Sequence, residues 1–191
     1  LTQIDFPGGV TLSLGAAFWA IAGFAIVAES NATNLTDGLD GLMGGTGALA
    51  FLGMGAIVAP TSPALAVLCM GMAGGCLGFL FFNRNPARVF MGDTGSLALG
   101  AALAGVAIAT QSLFGLLLVT GLFFFETLSV ILQVSYYKAT KDENGVGKRL
   151  IKMAPFHHHL ELCGWSEIYV VATFYAVTLG LSSLAFWLCT S

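Results

Sequence analysis

Six long apolar segments limit the folds that this chain can adopt. A helix needs about 20 consecutive apolar residues to cross a bilayer, where it satisfies its own backbone hydrogen bonds. The segments that reach or approach this length are residues 10–28, 41–59, 63–82, 95–110, 112–137 and 167–189. Only 9% of the residues are charged, against roughly 25% in soluble domains. The sequence therefore predicts an all-α, polytopic membrane helical bundle of about six transmembrane helices, formed by residues 1–191 as a single domain.

The basic residues predict the orientation of this bundle. All seven follow either the third or the fifth predicted span: Arg84, Arg88, Lys138, Lys141, Lys148, Arg149 and Lys152. Loops rich in Lys and Arg stay in the cytoplasm. The loops after the first, third and fifth spans are therefore expected on the cytoplasmic face.

Polar residues gather in three clusters on this predicted cytoplasmic face. The clusters are ESNATNLTDGLDGL at 29–42, FNRNPARVFMGDTGS at 82–96, and a longer stretch at 136–167 that contains HHH. Polar groups inside or beside a bilayer are costly and usually functional. Three loops that supply Asp, Asn, Arg and His to one face indicate one shared site.

The acids of the first two clusters, Asp37, Asp40 and Asp93, lie at predicted helix ends. Each could simply cap a helix, because Asp is favourable at helix amino-termini. Three acids among Asn, Thr and Gly also fit a magnesium site, since Mg²⁺ binds carboxylates and often shares them with substrate phosphates. A further acid, Glu126, lies within the fifth span, where it either pairs with a neighbouring helix or forms part of an ion path.

The second cluster carries groups that suit a nucleotide. Asn83 can hydrogen-bond a ligand in either sense, and Arg84 and Arg88 can neutralise phosphate. Phe90 could stack on a base or pack under the loop. The backbone N–H groups of GDTGS, at 92–96, begin a predicted helix, which is a favourable place for phosphate.

The third cluster contains three successive histidines, His157, His158 and His159. Zinc binding is one interpretation, but successive side chains rarely converge on one ion, and no cysteine lies close by in a ligand pattern. Contact with phosphate or pyrophosphate fits these imidazoles better.

Together these strings resemble the polyprenyl-phosphate N-acetylhexosamine 1-phosphate transferase superfamily, and within it the phospho-N-acetylmuramoyl-pentapeptide transferase (MraY) family. The matching strings are NATNLTDGLDGL at 31–42, FNRNPARVFMGDTGSLALG at 82–100, ETLSVILQV at 126–134 and MAPFHHHLELCGW at 153–165. The first two recur across the superfamily, whereas the HHH string distinguishes this family from relatives that transfer N-acetylglucosamine phosphate.

The resemblance implies a ten-helix, multi-pass enzyme of the bacterial inner membrane, of which this chain would be the last six helices. Such enzymes transfer phospho-MurNAc-pentapeptide from UDP-MurNAc-pentapeptide to undecaprenyl phosphate at the cytoplasmic face, and require Mg²⁺. The products are lipid I and UMP. The family's Asp-Asp motif followed by Lys belongs to an earlier helix and is absent here. The chain, which begins with Leu, is therefore expected to be a fragment that is inactive alone.

By position, Asp93 would bind the metal at the reaction centre, and His157, His158 and His159 would contact phosphate or the sugar side as catalytic residues. The substrate-binding residues carried over are Asn34, Asp37, Gly38, Leu39, Asp40, Asn83, Arg88 and Phe90. Among these, Phe90 would stack on uracil. The resemblance also suggests a homodimer, and no nucleic-acid partner is expected.

Other functions are compatible with parts of this pattern. An N-acetylglucosamine-1-phosphate transferase would share the Asp strings and differ at the HHH string. A transporter could use Glu126 and the acids as an ion path, but transporters usually bind at the midplane, whereas the polar residues here lie on one face. A polyprenyl-phosphate hydrolase is a third possibility.

Overall fold

Helices form most of the structure, a computed structural model that describes residues 2–190. The described residues contain eight α-helices: α1 Ala17–Thr36, α2 Leu42–Val58, α3 Pro63–Asn83, α4 Gly92–Ala109, α5 Leu113–Val119, α6 Gly121–Ala139, α7 Phe156–Leu162 and α8 Glu167–Thr190. The prediction of an all-α membrane protein is confirmed, and each of the six predicted apolar segments contains a helix.

A small β-hairpin precedes the bundle. Strands β1 Gln3–Phe6 and β2 Val10–Ser13 pair antiparallel across a short 3-10 turn. The N–H of Asp5 donates to the carbonyl of Gln111 at 3.3 Å, which attaches the hairpin to the loop between α4 and α5. The prediction that the first span begins at residue 10 is therefore wrong, because residues 10–13 satisfy their backbone groups in a strand pair and helix α1 begins only at Ala17.

Three helices, α3, α4 and α8, are long and apolar enough to cross a membrane by themselves. Helices α5 and α6 pass the same test only together, and they bend by 73° at Thr120. The predicted fifth span, 112–137, is therefore not one straight helix. Helix α2 is apolar but has only 17 residues, and the polar residues 29–36 continue α1 as helix rather than forming a loop. By length and composition the described residues contain three spans, or four with the bent pair, so the count of six stays a prediction.

Helix α2 forms the centre of the bundle, between α3 and α8, and most of its residues are buried. Small residues allow this close packing: a Cβ at Gly45 would overlap the ring of Tyr175 in α8. The Tyr175 hydroxyl also donates to the carbonyl of Gly41 at 2.6 Å. Small residues at helix contacts are typical of membrane bundles. This packing fixes the start of α2, where the first polar cluster ends.

Helix α1 packs along α4 and brings the first two polar clusters together. The Thr33 hydroxyl donates to the carbonyl of Ser96 in α4 at 2.8 Å. The end of α1 and the start of α4 therefore lie side by side.

Candidate functional site

A polar cavity of about 320 Å³ lies where α1 ends and α4 begins. Its lining residues are Asn34, Asp37, Gly38, Leu39, Asp40, Asn83, Phe90, Met91, Gly92 and Asp93. Two loops that are distant in sequence thus form one site, and eight of the twelve predicted site residues line it. The other four, Arg88 and the three histidines, lie outside this lining.

The first loop reverses the chain between α1 and α2. The N–H of Asp37 donates to the carbonyls of Thr33 and Asn34 at 3.2 Å, which ends α1. Gly41 then has φ of 81°, a left-handed conformation that favours glycine, and α2 starts at Leu42. The repeated Asp-Gly of DGLDG therefore produces a tight turn whose polar residues line the cavity.

Asp93 lies exposed in the first turn of α4 and is oriented by Asn34. The Asn34 amide Nδ2 is 3.0 Å from Asp93 Oδ1 and also 3.0 Å from the hydroxyl oxygen of Ser96. The last turns of α1 thereby hold a carboxylate of α4 in the cavity. Among residues 2–190 the other carboxylate oxygen of Asp93 accepts no hydrogen bond, so it is available to a ligand.

Asp37 shares the cavity with Asp93, and the two carboxylates affect one another. Burial, and to a smaller extent the negative charge of Asp93, raise the pKa of Asp37 to about 6. Two acids that disfavour each other's ionised form are suited to bind a cation. Among the described residues no group of three or more His, Cys, Asp or Glu is arranged to hold a metal. Two carboxylates completed by substrate phosphates are nevertheless a usual Mg²⁺ site.

We expect the Asp93→Asn change to lower the pKa of Asp37 only part of the way from about 6 towards 3.8, because burial is the larger cause of the shift. Infrared titration of the carboxyl band in the metal-free protein measures this, with Asp37→Asn to assign the band. An Asp37 pKa that stays unchanged in Asp93→Asn would show that the two carboxylates do not interact.

As the pH falls through about 6, Asp37 takes up a proton, so metal binding should weaken over the same range.

The Asp40 side chain hydrogen-bonds the second loop and so links the two loops that line the cavity. Its Oδ2 accepts the N–H of Ala87 at 2.8 Å and lies 3.4 Å from Nδ2 of Asn85. Its own N–H donates to Glu167 Oε1 at 2.7 Å, and Glu167 Oε2 accepts from Asn85 at 2.8 Å. Sequence reasoning did not single out Glu167. The signal was its position as the last residue of the third cluster, at the start of the last helix.

Asn83 is buried and joins the same loops from the other side. Its Oδ1 accepts the N–H of Gly41 at 3.0 Å, and its Nδ2 donates to the carbonyl of Val89 at 2.9 Å. Both positions are backbone groups of cavity loops. Both polar atoms of the Asn83 amide are used in these contacts. Asn83 therefore shapes the site and is less available to bind a ligand.

Replacing Asn83 by alanine should lower the stability of the protein by about 1 to 3 kcal/mol, because it leaves the buried N–H of Gly41 and the partly buried carbonyl of Val89 without this partner. Thermal unfolding in detergent measures the effect. The matched control is Asn31→Ala, because the exposed Asn31 amide donates to the carbonyl of Val27 in its own helix. This substitution should lower the stability by less than about 0.5 kcal/mol. Equal losses in both variants would contradict this role.

The three histidines lie on α7 and point in different directions. His157 is fully buried, with Nδ1 3.3 Å from Glu126 Oε2. His158 Nδ1 is 2.7 Å from Glu161 Oε2, and the N–H of Lys152 donates to His159 Nδ1 at 3.2 Å. Their divergence does not favour one shared zinc ion. Only His157 reaches the cavity wall, because its Nε2 faces Gly38. Their contact with a substrate stays a prediction.

The two arginines of the second cluster are exposed. The N–H of Arg88 donates to the carbonyl of Phe82 at 2.9 Å, which shapes the turn after α3. The guanidinium of Arg84 lies 5.4 Å from the centroid of the Phe81 ring. A role of Arg88 in binding phosphate stays a prediction. Phe90, in contrast, lines the cavity with 74% of its surface exposed, so a ring face is available for stacking.

Known proteins that are similar to this chain align with nearly all of it. Phospho-N-acetylmuramoyl-pentapeptide-transferases are 62% identical in Picosynechococcus sp., 63% in Microcystis aeruginosa and 64% in Nostoc sp.. These alignments cover 97%, 97% and 96% of the chain, and 51%, 52% and 50% of the relatives. The chain thus spans about half the length of the curated relatives it matches. The family model described as glycosyl transferase family 4 matches residues 1–111, which contain every residue that lines the cavity. On this evidence the chain belongs to glycosyl transferase family 4.

Proposed function

We propose that the protein to which this chain belongs transfers phospho-MurNAc-pentapeptide from UDP-MurNAc-pentapeptide to undecaprenyl phosphate. The observation that carries this proposal is the polar cavity formed by Asn34, Asp37, Phe90 and Asp93 at the helix ends of an apolar bundle. The names of the similar proteins support the transferred group, phospho-N-acetylmuramoyl-pentapeptide. The products are UMP and lipid I.

The position of the cavity suits a lipid substrate. The cavity opens beside the end of α1 and the start of α4, so a polyprenyl tail can remain in hydrocarbon while its phosphate reaches the site. The cations Arg84 and Arg88 belong to the loop beside it, which the positive-inside rule assigns to the cytoplasm. We therefore place the reaction at the cytoplasmic face of the bacterial inner membrane.

The residues present fit a bound Mg²⁺ ion. Asp93, with Asp37 beside it, would hold the ion together with the donor's phosphates, and the ion would spread the negative charge of the reacting groups. Asn34 keeps the carboxylate of Asp93 directed into the cavity through its hydrogen bond at 3.0 Å. After burial, the negative charge of Asp93 contributes to the raised pKa of Asp37, and a cation bound by both carboxylates would offset this repulsion.

The donor is held by the rest of the cavity. Phe90 presents its exposed ring to uracil, and Gly38 and Leu39 form the wall next to it. Phosphoryl transfer depends mainly on positioning and on charge stabilisation. An oxygen of undecaprenyl phosphate attacks the sugar-linked phosphorus of the donor, a new P–O bond forms, and the bond from that phosphorus to the UMP oxygen breaks. Asp40 and Asn83 keep the two loops in register during this step.

Release of UMP tests the proposal. The protein expressed from its complete gene, purified in detergent, should release UMP from UDP-MurNAc-pentapeptide only when undecaprenyl phosphate and Mg²⁺ are both present. Release with UDP-GlcNAc instead would assign the protein to the N-acetylglucosamine-1-phosphate transferases. No release with either donor would contradict the proposed function.

A further inference from the structure

Glu126 is an acid in an apolar helix, and it is completely buried in the first half of α6. Its Oε2 accepts the N–H of Phe156 at 2.6 Å and lies 3.5 Å from the N–H of His157. A buried carboxylate is costly unless it is paired or hydrogen-bonded. Glu126 thus anchors the first turn of α7 to a helix of the bundle.

His157 connects this anchor to the cavity. Its ring is fully buried, with Nδ1 3.3 Å from Glu126 Oε2. On the opposite side of the ring, Nε2 faces Gly38 so closely that a Cβ at Gly38 would overlap it. Gly38 lines the cavity. A continuous series of contacts therefore runs from α6 through His157 to the wall of the site.

The Glu126 carboxylate limits where the His157 ring can move. Nδ1 lies 3.3 Å from Glu126 Oε2, without the alignment of a hydrogen bond, and the ring is fully buried. Because Gly38 faces the opposite edge of the ring, the imidazole is held between the carboxylate and the wall of the cavity.

We propose that Glu126 is a positioning residue for the nucleotide-sugar donor. It holds His157 against Gly38 and thereby fixes the loop 37–41 that lines the cavity. The kinetic part of this inference rests on the proposed function. A displacement of about 1 Å at a reacting site can reduce the rate about a hundredfold.

The test compares Glu126→Ala, Glu126→Gln and Thr127→Val in the complete protein. We expect Glu126→Ala to raise KM for UDP-MurNAc-pentapeptide about tenfold and to lower kcat/KM about a hundredfold, with KM for undecaprenyl phosphate unchanged. Glu126→Gln retains an oxygen that can accept the N–H of Phe156, so its kcat/KM should fall less than that of Glu126→Ala. Thr127→Val is the matched control, because its hydroxyl bonds only the carbonyl of Phe123 in the same helix, at 3.0 Å.

Hydrogen exchange gives a second readout that needs no activity. Amides of residues 37–41 should exchange faster in Glu126→Ala and Glu126→Gln than in Thr127→Val. In a His157→Ala background, Glu126→Ala should reduce kcat/KM little further, because Glu126 acts on the cavity through His157.

The outcomes separate the two proposals. A wild-type protein that releases no UMP contradicts the proposed function, while exchange at residues 37–41 still decides the role of Glu126. If wild type is active but Glu126→Ala and Glu126→Gln match Thr127→Val in kinetics and in exchange, the positioning role is wrong. Equal increases in KM for donor and lipid would also overturn it, since they indicate general loss of structure.

Discussion

The Gly38→Ala substitution is expected to lower kcat/KM for the nucleotide-sugar donor about a hundredfold. The added methyl group would overlap Nε2 of His157, and the ring cannot retreat, because it is fully buried with Glu126 on its other side. The loop 37–41 must therefore move, which shifts Asp37 and Asp40 in the cavity. Steady-state kinetics with UDP-MurNAc-pentapeptide measures the loss. Overpacking of this kind also costs about 1 to 3 kcal/mol of stability.

Two variants show whether this loss comes from the contact with His157. Gly75→Ala is the matched control, because a Cβ at that exposed helical position meets no atom within 4 Å. It should leave the kinetics unchanged. In a His157→Ala background the overlap is absent, so Gly38→Ala should lower kcat/KM much less than it does in the wild-type background. A full hundredfold loss in that background would contradict the assigned contact.

Asp93→Asn is expected to reduce UMP release at least about a hundredfold, because a metal ion supplies several kcal/mol of charge stabilisation in such reactions. The asparagine retains an oxygen that can accept from Asn34 at the same 3.0 Å contact, so the fold of the loop should persist. Rates measured across a Mg²⁺ series should show a higher requirement for the metal.

Asp5→Asn is the control for charge, since Asp5 lies exposed in the hairpin, outside the cavity lining. It should behave as wild type. Wild-type activity and wild-type Mg²⁺ dependence in Asp93→Asn would remove Asp93 from the reaction centre.

The sequence predicted the helical class because apolar length is a local property of the chain. It misplaced the start of the first helix, since the pairing of Gln3–Phe6 with Val10–Ser13 depends on contacts between two strands. It also missed the 73° bend at Thr120. There the Thr120 hydroxyl lies 3.1 Å from Oε2 of the buried Glu29, 91 residues earlier in the chain. No local pattern reports such a contact.

The cavity residues were predicted more fully than the contacts that hold them. Asp37, Asn83, Phe90 and Asp93 stand in short, distinctive strings, so the residue types alone indicated a shared site. The contact between the Asp40 N–H and Glu167 joins residues 127 positions apart, and only folding brings them together.

The histidines show the same limit of sequence reasoning. Three consecutive imidazoles on a helix point about 100° apart, so each finds a different partner, and the structure places only His157 beside the cavity wall.

Mass spectrometry of the lipid product tests the central claim most directly. The complete protein is incubated with UDP-MurNAc-pentapeptide, undecaprenyl phosphate and Mg²⁺, and the lipids are extracted. The account predicts undecaprenyl diphosphate linked to MurNAc-pentapeptide, formed in equal amount to the UMP released and absent in Asp93→Asn. Free undecaprenol, or a lipid that carries only N-acetylglucosamine phosphate when both donors are offered, would contradict it.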